Sequence, residues 1–262
     1  MSERHPVIFL GAGPGDPELI TVKGQKALAR ADVVLYAGSL VSPAVLGWAR
    51  PEAELIDTAP LNLEQIVAGL IQAHRDGKRA LRVHSGDTAL FSAIQEQLEI
   101  LEREQIPCLV IPGVTAAAAA AAALAQELTL PEVTQTVILT RAPGRTPVPE
   151  REALGNLARH GATMVIYLSI KLIDQVVAEL SEAYGPETAA VVAYRVSWPD
   201  QQIIRGTLAD IRDKVKQAGI ERQALILVGP ALAARQGALK AQSKLYDKTF
   251  SHGWRPASSG EK

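Results

Sequence analysis

The stretch Gly11-Ala12-Gly13-Pro14-Gly15-Asp16-Pro17 stands between a short apolar run, Val7 to Leu10, and a segment with helical periodicity, Thr21 to Ala31. A glycine-rich turn between a strand and a helix suggests a dinucleotide-binding loop, in which a pyrophosphate approaches the helix N-terminus. The spacing argues against this interpretation, because Asp16 occupies the position of the third glycine and would repel a phosphate. A Walker-type loop is excluded as well, since no Gly-Lys-Ser/Thr follows. The stretch predicts a tight turn that presents backbone amides and Asp16 to a cleft.

Short apolar, β-branched runs alternate with helix-period segments along most of the chain. This alternation is typical of parallel strands joined by helical crossovers and predicts the α/β class. Strands are expected at Val7 to Leu10, Asp32 to Tyr36, Arg79 to His84, Pro107 to Ile111, Thr134 to Thr140, Thr163 to Leu168, Ala189 to Tyr194, Gln202 to Thr207 and Ala224 to Val228. Helices are expected at Thr21 to Ala31, Asn62 to Asp76, Phe91 to Arg103, Glu150 to His160, Leu172 to Ala183 and Leu208 to Gln217.

A candidate domain junction lies at Pro112-Gly113-Val114, because a different series of strands stands on either side of it. We expect an N-terminal α/β domain over residues 1–114, a C-terminal α/β domain over residues 115–232 and a polar tail over residues 233–262. The tail is either disordered or an arm that lies across a partner subunit.

A helix with eight consecutive alanines, Ala116 to Ala123, follows the junction. Alanine has the highest helix propensity, which is one explanation of the run. The other is that such small side chains leave room for a ligand, while Thr115 caps the helix and directs its amide donors there.

The composition excludes several classes of function. The chain is 47% hydrophobic and 21% charged, which is typical of a globular enzyme and not of a disordered protein. Its formal net charge of -1 gives no general attraction to nucleic acid or to an anionic membrane. We find no long apolar segment and expect a cytoplasmic protein. The single cysteine, Cys108, is expected to be a buried strand thiol, and the histidines have no metal-ligand spacing, so no metal is expected.

A second loop, His84-Ser85-Gly86-Asp87-Thr88-Ala89-Leu90-Phe91, also follows a predicted strand. Open parallel sheets bind ligands at this edge, so the two loops are expected to share one site. Gly-Asp is also a common turn pair, and a purely structural role for Asp87 is equally consistent with the sequence.

Two later loops carry arginines. The loop that begins at Arg141-Ala142-Pro143-Gly144-Arg145 offers two guanidinium groups, which bind carboxylates in a bidentate manner and so suit an anionic substrate. Arginines exposed to solvent are the alternative explanation. The loop Tyr194-Arg195-Val196-Ser197-Trp198-Pro199-Asp200 offers another arginine and an aromatic face, or else is a hairpin with exposed side chains.

Taken in order, these loops resemble the tetrapyrrole methyltransferase family. Its members open with a strand and a Gly-x-Gly-x-Gly-Asp-Pro turn, to which Gly11 to Pro17 is similar. They continue with a Gly-Asp loop, similar to Gly86-Asp87, and with Pro-Gly-Val/Ile-Thr/Ser, similar to Pro112 to Thr115. Leu19 to Gly24 and Val33 to Val41, with Thr134 to Arg141, look like the members that methylate C-11 of precorrin-4 or of its cobalt complex in the synthesis of cobalamin.

The resemblance implies two α/β domains with mostly parallel sheets and a cleft between them, in a homodimer. It implies S-adenosylmethionine in the cleft, S-adenosylhomocysteine as product, and an anionic tetrapyrrole substrate above. By position, the cofactor site would be lined by Pro14, Ser85, Gly86, Asp87, Ala89, Leu90, Thr115, Ala116, Leu168, Tyr194, Arg195 and Ala224. Asp16, Arg141 and Arg145 would face the macrocycle. Thr88 departs from the proline of many relatives, and Leu168 from their methionine, which weakens those two contacts.

No side chain stands out as a general base. Asp16 and His84 are the catalytic candidates, His84 because it is a titratable group at a strand end. Methyl transfer from a sulfonium needs alignment more than a side-chain nucleophile, which agrees with this. The alternatives left open are another substrate within the family (uroporphyrinogen-III, another precorrin, a protein diphthine or an RNA ribose), a nicotinamide-dependent oxidoreductase, and a module that binds a tetrapyrrole without turnover.

Overall fold

The computed structural model describes residues 5–236 and 243–258. The strands are β1 (Val7–Gly11), β2 (Val33–Tyr36), β3 (Glu54–Asp57), β4 (Ala80–His84), β5 (Cys108–Ile111), β6 (Val137–Arg141), β7 (Thr163–Tyr167), β8 (Ala189–Tyr194), β9 (Gln202–Thr207) and β10 (Ala224–Val228). The α-helices are α1 (Val22–Leu28), α2 (Pro43–Leu46), α3 (Leu63–Arg75), α4 (Gln95–Arg103), α5 (Ala116–Leu124), α6 (Leu154–Ala158), α7 (Ile173–Tyr184) and α8 (Ile211–Gln217). Short 3₁₀ helices lie at Pro17–Leu19, Glu150–Glu152, Ile170–Leu172, Pro230–Gln236 and Lys244–Tyr246.

The chain forms two compact units. The first unit comprises Met1–Ala123 together with Arg195–Gln202, the connection between β8 and β9. The second unit comprises Leu124–Tyr194 and Ile203–Lys262. The three domain ranges expected from the sequence stay a prediction.

The first unit contains a parallel sheet with the strand order β3-β2-β4-β1-β5. Successive strand residues point to opposite faces, and both faces are covered by helices. Phe9 of β1 is buried in a core with Leu70 of α3 and Leu101 of α4. Leu10, the next residue, is buried in a second core with Leu28 of α1 and other apolar residues. Coverage of both faces explains why β1 and β2 are continuous apolar runs.

Local hydrogen bonds set the start of two helices in this unit. Thr21 caps α1, since its hydroxyl accepts a bond from the amide of Gly24 at 3.1 Å. Asn62 and Gln65 form a capping box at α3, each side chain bonded to the other residue's backbone amide.

The second unit contains a mixed sheet with the order β6-β7-β10-β8-β9. β6 and β7 are parallel, whereas β10 is antiparallel to β7 and to β8. Its core joins Met164 of β7 and Ile226 of β10 to Leu154 of α6, Val176 of α7 and Ile211 of α8, all of them buried.

The predicted α/β class is confirmed, with the first sheet wholly parallel. The second sheet differs from the mostly parallel arrangement that the resemblance implied. β8 and β9 are neighbours joined by only the residues between Tyr194 and Gln202, a connection shorter than a helical crossover needs.

Several predicted boundaries are wrong. The helix expected from Phe91 begins at Gln95, because Phe91 (φ 54°) and Ala93 (φ 48°) adopt left-handed backbone that a helix excludes. The helix expected over Glu150 to His160 is interrupted at Ala153, which is extended at ψ 141°. α2 and β3 were not expected from the sequence. β3 lies at the sheet edge with mostly exposed residues, so it lacks an apolar run.

In the described part of the predicted tail, Ser243 to Ser258, most residues are exposed, among them Tyr246 and Trp254. Across the described ranges, no helix combines the length and the apolar character needed to span a bilayer.

Candidate active site

Three glycines meet where the loops leave the first sheet. β4, β1 and β5 are parallel neighbours, so the loops after them lie side by side. A Cβ atom built on Gly113 would lie 2.1 Å from the carbonyl oxygen of Gly86 and 2.7 Å from that of Gly11. One built on Gly11 would lie 2.6 Å from the amide nitrogen of Gly113. These contacts leave no room for a side chain at positions 11 and 113, so the close approach of the three backbones requires glycine there. We call this contact of Gly11, Gly86 and Gly113 the glycine junction.

Backbone hydrogen bonds connect the first two loops beside the glycine junction. The amide of Gly13 donates to the carbonyl of Gly86 at 3.1 Å, and the amide of Gly86 donates to the carbonyl of Gly13 at 2.7 Å. The amide of Ala12 donates to the carbonyl of His84 at 2.8 Å. Both glycines adopt positive φ, +79° at Gly13 and +65° at Gly86, so this bridge depends on residues that tolerate left-handed backbone.

Asp87 ties the second loop to the third. One carboxylate oxygen accepts a hydrogen bond from the amide of Gly113 at 2.7 Å, and the other accepts one from the amide of Ala89 at 2.8 Å. Both oxygens therefore bind the protein's own backbone. This geometry favours a positioning role for Asp87, the structural alternative that the sequence left open.

Replacing Asp87 with alanine is expected to lower the free energy of unfolding by about 1 to 2 kcal/mol, because the partly buried amide of Gly113 and the exposed amide of Ala89 lose a charged acceptor. Urea unfolding measures this change. Glu221→Ala, which removes a carboxylate from an exposed position, is the matched control and is expected to unfold like the wild type. Equal stability of the Asp87 and Glu221 variants would contradict the role as a tie between loops.

An opening lies beside Gly86. A Cβ atom built there would have no neighbour closer than the amide nitrogen of Ala116 at 3.9 Å and the carbonyl oxygen of Val114 at 4.0 Å. Gly86 thus faces the start of α5, whose first turn is closed by bonds from Ala118 and Ala119 to the carbonyl of Thr115. The structure thus brings Gly86 close to Ala116 at the start of α5, and their predicted contact with a cofactor stays a prediction.

The rest of the second loop is strained and apolar. Phe91 is 45% exposed and Ala93 is exposed, and both hold the left-handed backbone noted above. Ser92, between them, donates to the carbonyls of Asp87 and Leu90 at 3.1 and 3.2 Å. Backbone strain of this kind persists only where the surroundings enforce it, and it concentrates at functional sites.

A segment distant in sequence clamps the first loop. The indole of Trp198 lies against Gly15, where a Cβ would be 2.2 Å from the Cδ1 of Trp198, and its Nε1 donates to the carbonyl of Pro14 at 2.8 Å. The guanidinium carbon of Arg195 lies 4.0 Å from the centroid of the same ring. Ser197 accepts a bond from the amide of Asp16 at 3.0 Å. Residues Arg195–Gln202 therefore position the glycine loop, and we call them the clamp segment.

Arg195, which was predicted to contact the cofactor, contacts other side chains of the clamp segment. Besides its contact with Trp198, it forms an ion pair with Asp200. Its backbone is left-handed at φ 41°, as is that of Ser197 at φ 68°. The geometry favours Arg195 as a residue that holds Trp198 in place.

Asp16 is half-buried and begins the 3₁₀ helix Pro17–Leu19, since its carboxylate accepts a bond from the amide of Glu18 at 2.8 Å. The acid is thus used in the loop's own conformation. Asp16 lies in the first loop, as the sequence indicated. Its predicted role toward a macrocycle stays a prediction.

His84, the predicted base, is 5% exposed at the end of β4 and stacks on Phe9. Burial, and secondly the positive charge of Arg82, lower the pKa of His84 to about 3. Burial also lowers the pKa of Arg82 to about 10. His84 is therefore neutral at physiological pH and enclosed, which weighs against proton transfer to it. Within the described residues, no three His, Cys, Asp or Glu side chains are grouped to hold a metal ion.

Acid is expected to destabilise the protein through His84. Between its ordinary pKa of 6.5 and its folded value of about 3, the unfolded chain binds a proton that the folded chain rejects. The free energy of unfolding should therefore fall as the pH drops below 6.5, by up to about 1.4 kcal/mol per pH unit from this group. Unfolding by urea between these pH values measures the slope, which should be shallower in His84→Gln and unchanged in His160→Gln, an exposed control. Parallel slopes for His84→Gln and the wild type would disprove this.

The other predicted cofactor residues belong to the second unit. Leu168 follows β7 with left-handed backbone at φ 55°, and its apolar side chain is 67% exposed. Tyr194 at the end of β8 is paired in register with Ala224 at the start of β10. An exposed leucine on strained backbone is unusual and suits a ligand contact.

The two predicted substrate arginines differ. The guanidinium of Arg141 donates to the carbonyls of Thr146 at 3.1 Å and Pro147 at 2.7 Å, so it shapes its own loop. Arg145, in that loop, is exposed. The loop starts against Ser169, which accepts a bond from the amide of Ala142 at 2.8 Å. Arg145 is the better placed of the two to meet a dissolved anion.

Sequence reasoning missed two parts of this site. Gly113 belongs to the glycine junction because it contacts Gly11 and Gly86. These two residues are distant from it in the sequence, so no local pattern predicts the contacts. Trp198 was noted as an aromatic face, but its contact with Pro14 joins residues 184 positions apart.

Comparison with known proteins agrees with these features. The model of the family described as Tetrapyrrole (Corrin/Porphyrin) Methylases matches residues 6–212. A solved structure described as a cobalamin biosynthetic enzyme, cobalt precorrin-4 methyltransferase, is 49% identical, with a TM-score of 0.84, and the match covers 86% of this chain and 95% of that one.

Two curated relatives are similar over nearly their whole length. The cobalt-precorrin-4 C(11)-methyltransferase of Methanocaldococcus jannaschii is 50% identical over 97% of this chain and 98% of its own. The precorrin-4 C(11)-methyltransferase of Pseudomonas aeruginosa is 52% identical over 95% of this chain and 98% of its own. The chain that carries these glycine loops is thus similar to these enzymes over nearly its whole length. The chain belongs to the tetrapyrrole methylase family, whose members are S-adenosylmethionine-dependent methyltransferases.

Proposed function

We propose that this methyltransferase transfers a methyl group from S-adenosylmethionine to C-11 of precorrin-4, or of cobalt-precorrin-4, in the synthesis of cobalamin. The observation that carries the proposal is the glycine junction with its opening beside Gly86, at the sheet edge where open α/β folds bind ligands. The names of the two curated relatives support the same substrate for this chain.

The residues beside Gly86 fit the cofactor in kind. The amide nitrogen of Ala116 and the carbonyl oxygen of Val114 border the space where a side chain would stand. An adjacent donor and acceptor suit the amino-purine edge of an adenosyl group, and the exposed ring of Phe91 offers apolar surface. The contacts that we propose in the first unit are those of Pro14, Ser85, Gly86, Ala89, Leu90, Thr115 and Ala116. The cofactor contacts expected from the sequence for Leu168, Tyr194 and Ala224 stay predictions.

Asp87 and Arg195 act in this proposal as positioning residues. The carboxylate of Asp87 holds the second and third loops together, and Arg195 supports the indole that covers Gly15. A loop held in advance loses less conformational freedom when a ligand binds.

When bound, S-adenosylmethionine supplies an electrophilic methyl group on a positively charged sulfur. The protein's task is to align the two reactants and keep water out, for which no strong side-chain nucleophile is needed. Because His84 is buried and neutral, we propose that it packs at the end of β4 as a structural residue and does not accept a proton. Asp16 remains the candidate for a carboxylate near the substrate.

The substrate carries several carboxylates, for which Arg145 is the proposed partner. Arg141 holds the loop in which Arg145 stands, through the carbonyls of Thr146 and Pro147. Guanidinium groups bind carboxylates in a bidentate manner, which suits this role.

We also propose that the protein is cytoplasmic and works as a homodimer, with neither nucleic acid nor membrane as partner. The near-neutral formal charge of -1 supports the absence of nucleic acid and of an anionic membrane among its partners.

The test is a methylation assay on the purified protein. Incubation with S-adenosylmethionine and precorrin-4, and separately with cobalt-precorrin-4, should give a product heavier by one methyl group. Uroporphyrinogen-III and other precorrins are run beside them, and nuclear magnetic resonance with a ¹³C-labelled methyl donor identifies the carbon. Calorimetric titration with S-adenosylhomocysteine tests the cofactor site alone.

Each rival function predicts a different outcome. Unchanged mass with substrates that a known enzyme converts would overturn the proposed reaction. Binding of NADH with none of S-adenosylhomocysteine would favour an oxidoreductase. Binding of the macrocycle without turnover would indicate a module that only holds a tetrapyrrole.

A further inference from the structure

A cavity of about 300 Å³ lies on the first unit, away from the glycine junction. Its floor is apolar and comes from Ile8, Leu81 and Leu109 of three neighbouring strands, with Ala27 of α1 beside them. Leu81 is the second residue of β4 and Leu109 the second of β5, and Pro6 precedes β1, so most of the lining lies toward the amino ends of the strands, with Ile111 at the end of β5. None of the three residues of the glycine junction lines the cavity, which is therefore a separate site.

Cationic side chains line the cavity from two directions. Lys23, Lys26 and Arg30 recur at helical spacing along and just beyond α1, and Arg79 precedes β4. All four residues are exposed, His5 adds an imidazole, and no acidic residue lines the cavity. Residues three, four and seven positions apart lie on one face of a helix, so the cations converge on the apolar floor.

These cations lack the acidic partners that their neighbours have. Lys78, adjacent to Arg79, pairs with Glu54 at 3.6 Å, and Arg50 pairs with Asp32. Within residues 5–236 and 243–258, no ion pair involves any of the four lining cations. Grouped like charges repel one another, and a bound anion would relieve that repulsion.

We propose that this cavity binds a small, rigid, apolar molecule that carries two or more anionic groups, carboxylate, sulfonate or phosphate. Its volume is at the lower end of the range for small-molecule pockets. The apolar floor holds the body of the molecule, and Lys23, Lys26, Arg30 and Arg79 hold its charges. A second copy of the chain is a poorer occupant, because a two-fold contact through this face brings the same cations together. The inference stands apart from the proposed reaction.

Two fluorescent probes test the proposal on the full-length protein. 8-Anilinonaphthalene-1-sulfonate has an apolar body and one negative charge, and N-phenyl-1-naphthylamine is the same body without the charge. Lys26→Glu/Arg30→Glu should weaken binding of the sulfonate about tenfold and leave the neutral probe nearly unchanged. Ala27→Leu, which fills the floor, should weaken both. Naphthalene-1,5-disulfonate, with two charges, should displace the sulfonate from the wild type more effectively than naphthalene-1-sulfonate does.

The control pair Arg222→Glu/Lys248→Glu replaces two exposed cations of the second unit. It changes the net charge by the same amount as Lys26→Glu/Arg30→Glu. It should bind the sulfonate like the wild type. Circular dichroism verifies that every variant folds, and sedimentation gives its oligomeric state. Equal weakening by both pairs, or none by the cavity pair, would overturn the proposal. A change of oligomeric state in the cavity pair, with unchanged probe binding, would assign the face to a second copy and overturn it as well.

Discussion

Gly113→Ala is expected to destabilise the protein by about 3 kcal/mol or more and to abolish binding of S-adenosylhomocysteine. The added methyl group would meet backbone atoms on two sides, the oxygen of Gly86 at 2.1 Å and the carbonyl of Gly11 at 2.7 Å. Neither partner is a flexible side chain, so at least one strand end must move. The melting temperature should fall by roughly 6 to 12 °C, measured by calorimetry.

Gly155→Ala is the matched control, since Gly155 lies in α6 and a Cβ there would have no neighbour closer than 3.9 Å. It should melt at or slightly above the wild-type temperature, because alanine favours helix over glycine. A Gly113→Ala variant that melts with this control would show that the glycine junction tolerates a side chain.

Gly86→Ala distinguishes the effect of the opening on cofactor binding from the effect of the glycine junction on folding. Its methyl group would have space at 3.9 Å from Ala116, so the cost to folding comes from the left-handed backbone at φ +65°, about 1 to 2 kcal/mol. The methyl group would stand in the proposed cofactor space. We expect a small loss of stability with a large loss of S-adenosylhomocysteine affinity, whereas wild-type affinity would place the cofactor elsewhere.

The first unit was largely predictable from the sequence for a physical reason. Helices cover both faces of its sheet, so β1 and β2 appear as unbroken apolar runs, whereas β4 includes the buried Arg82 and β5, at the edge, has two exposed apolar residues. The carboxyl ends of parallel neighbours necessarily meet, which makes the sharing of a site by Gly13 and Gly86 a consequence of topology. The edge strand β3 was missed because three of its four residues are exposed, which leaves only Ile56 against the core and no apolar run.

The second sheet was less predictable, because strand direction is not written in an apolar run. β7, β8 and β10 are each buried and apolar, yet β10 is antiparallel to the other two. The short span between β8 and β9 was the available clue, since a helical crossover needs more residues than it contains.

The roles of individual site residues depended on contacts that only the fold creates. Asp87 in a Gly-Asp pair is compatible with a ligand or with a turn, and the difference lies in the amide of Gly113, 26 positions away. His84 looks like a base at a strand end, but enclosure by Phe9 and the charge of Arg82 make it a poor one. Burial and distant partners are therefore the information that sequence spacing lacked.

Trp198→Ala is expected to lower both stability and cofactor affinity by releasing the first loop. The indole packs on Gly15, its Nε1 bonds the carbonyl of Pro14 at 2.8 Å, and Arg195 lies on the ring. Loss of a half-buried tryptophan with these contacts should cost about 2 to 4 kcal/mol. Affinity for S-adenosylhomocysteine should fall about tenfold or more, because binding must then order the loop.

Two variants calibrate this result. Trp198→Phe keeps an aromatic ring beneath Arg195 and loses only the bond to Pro14, so it should cost about 1 kcal/mol. Trp254→Ala removes a tryptophan that is 96% exposed and should change neither quantity. Since the chain has three tryptophans, Trp48→Phe/Trp254→Phe leaves Trp198 as its only tryptophan. Its fluorescence should shift as S-adenosylhomocysteine binds. A Trp198→Ala protein with lowered stability and wild-type affinity would reduce the clamp segment to a structural support, because a loop that positions the cofactor cannot be freed without weakening its binding.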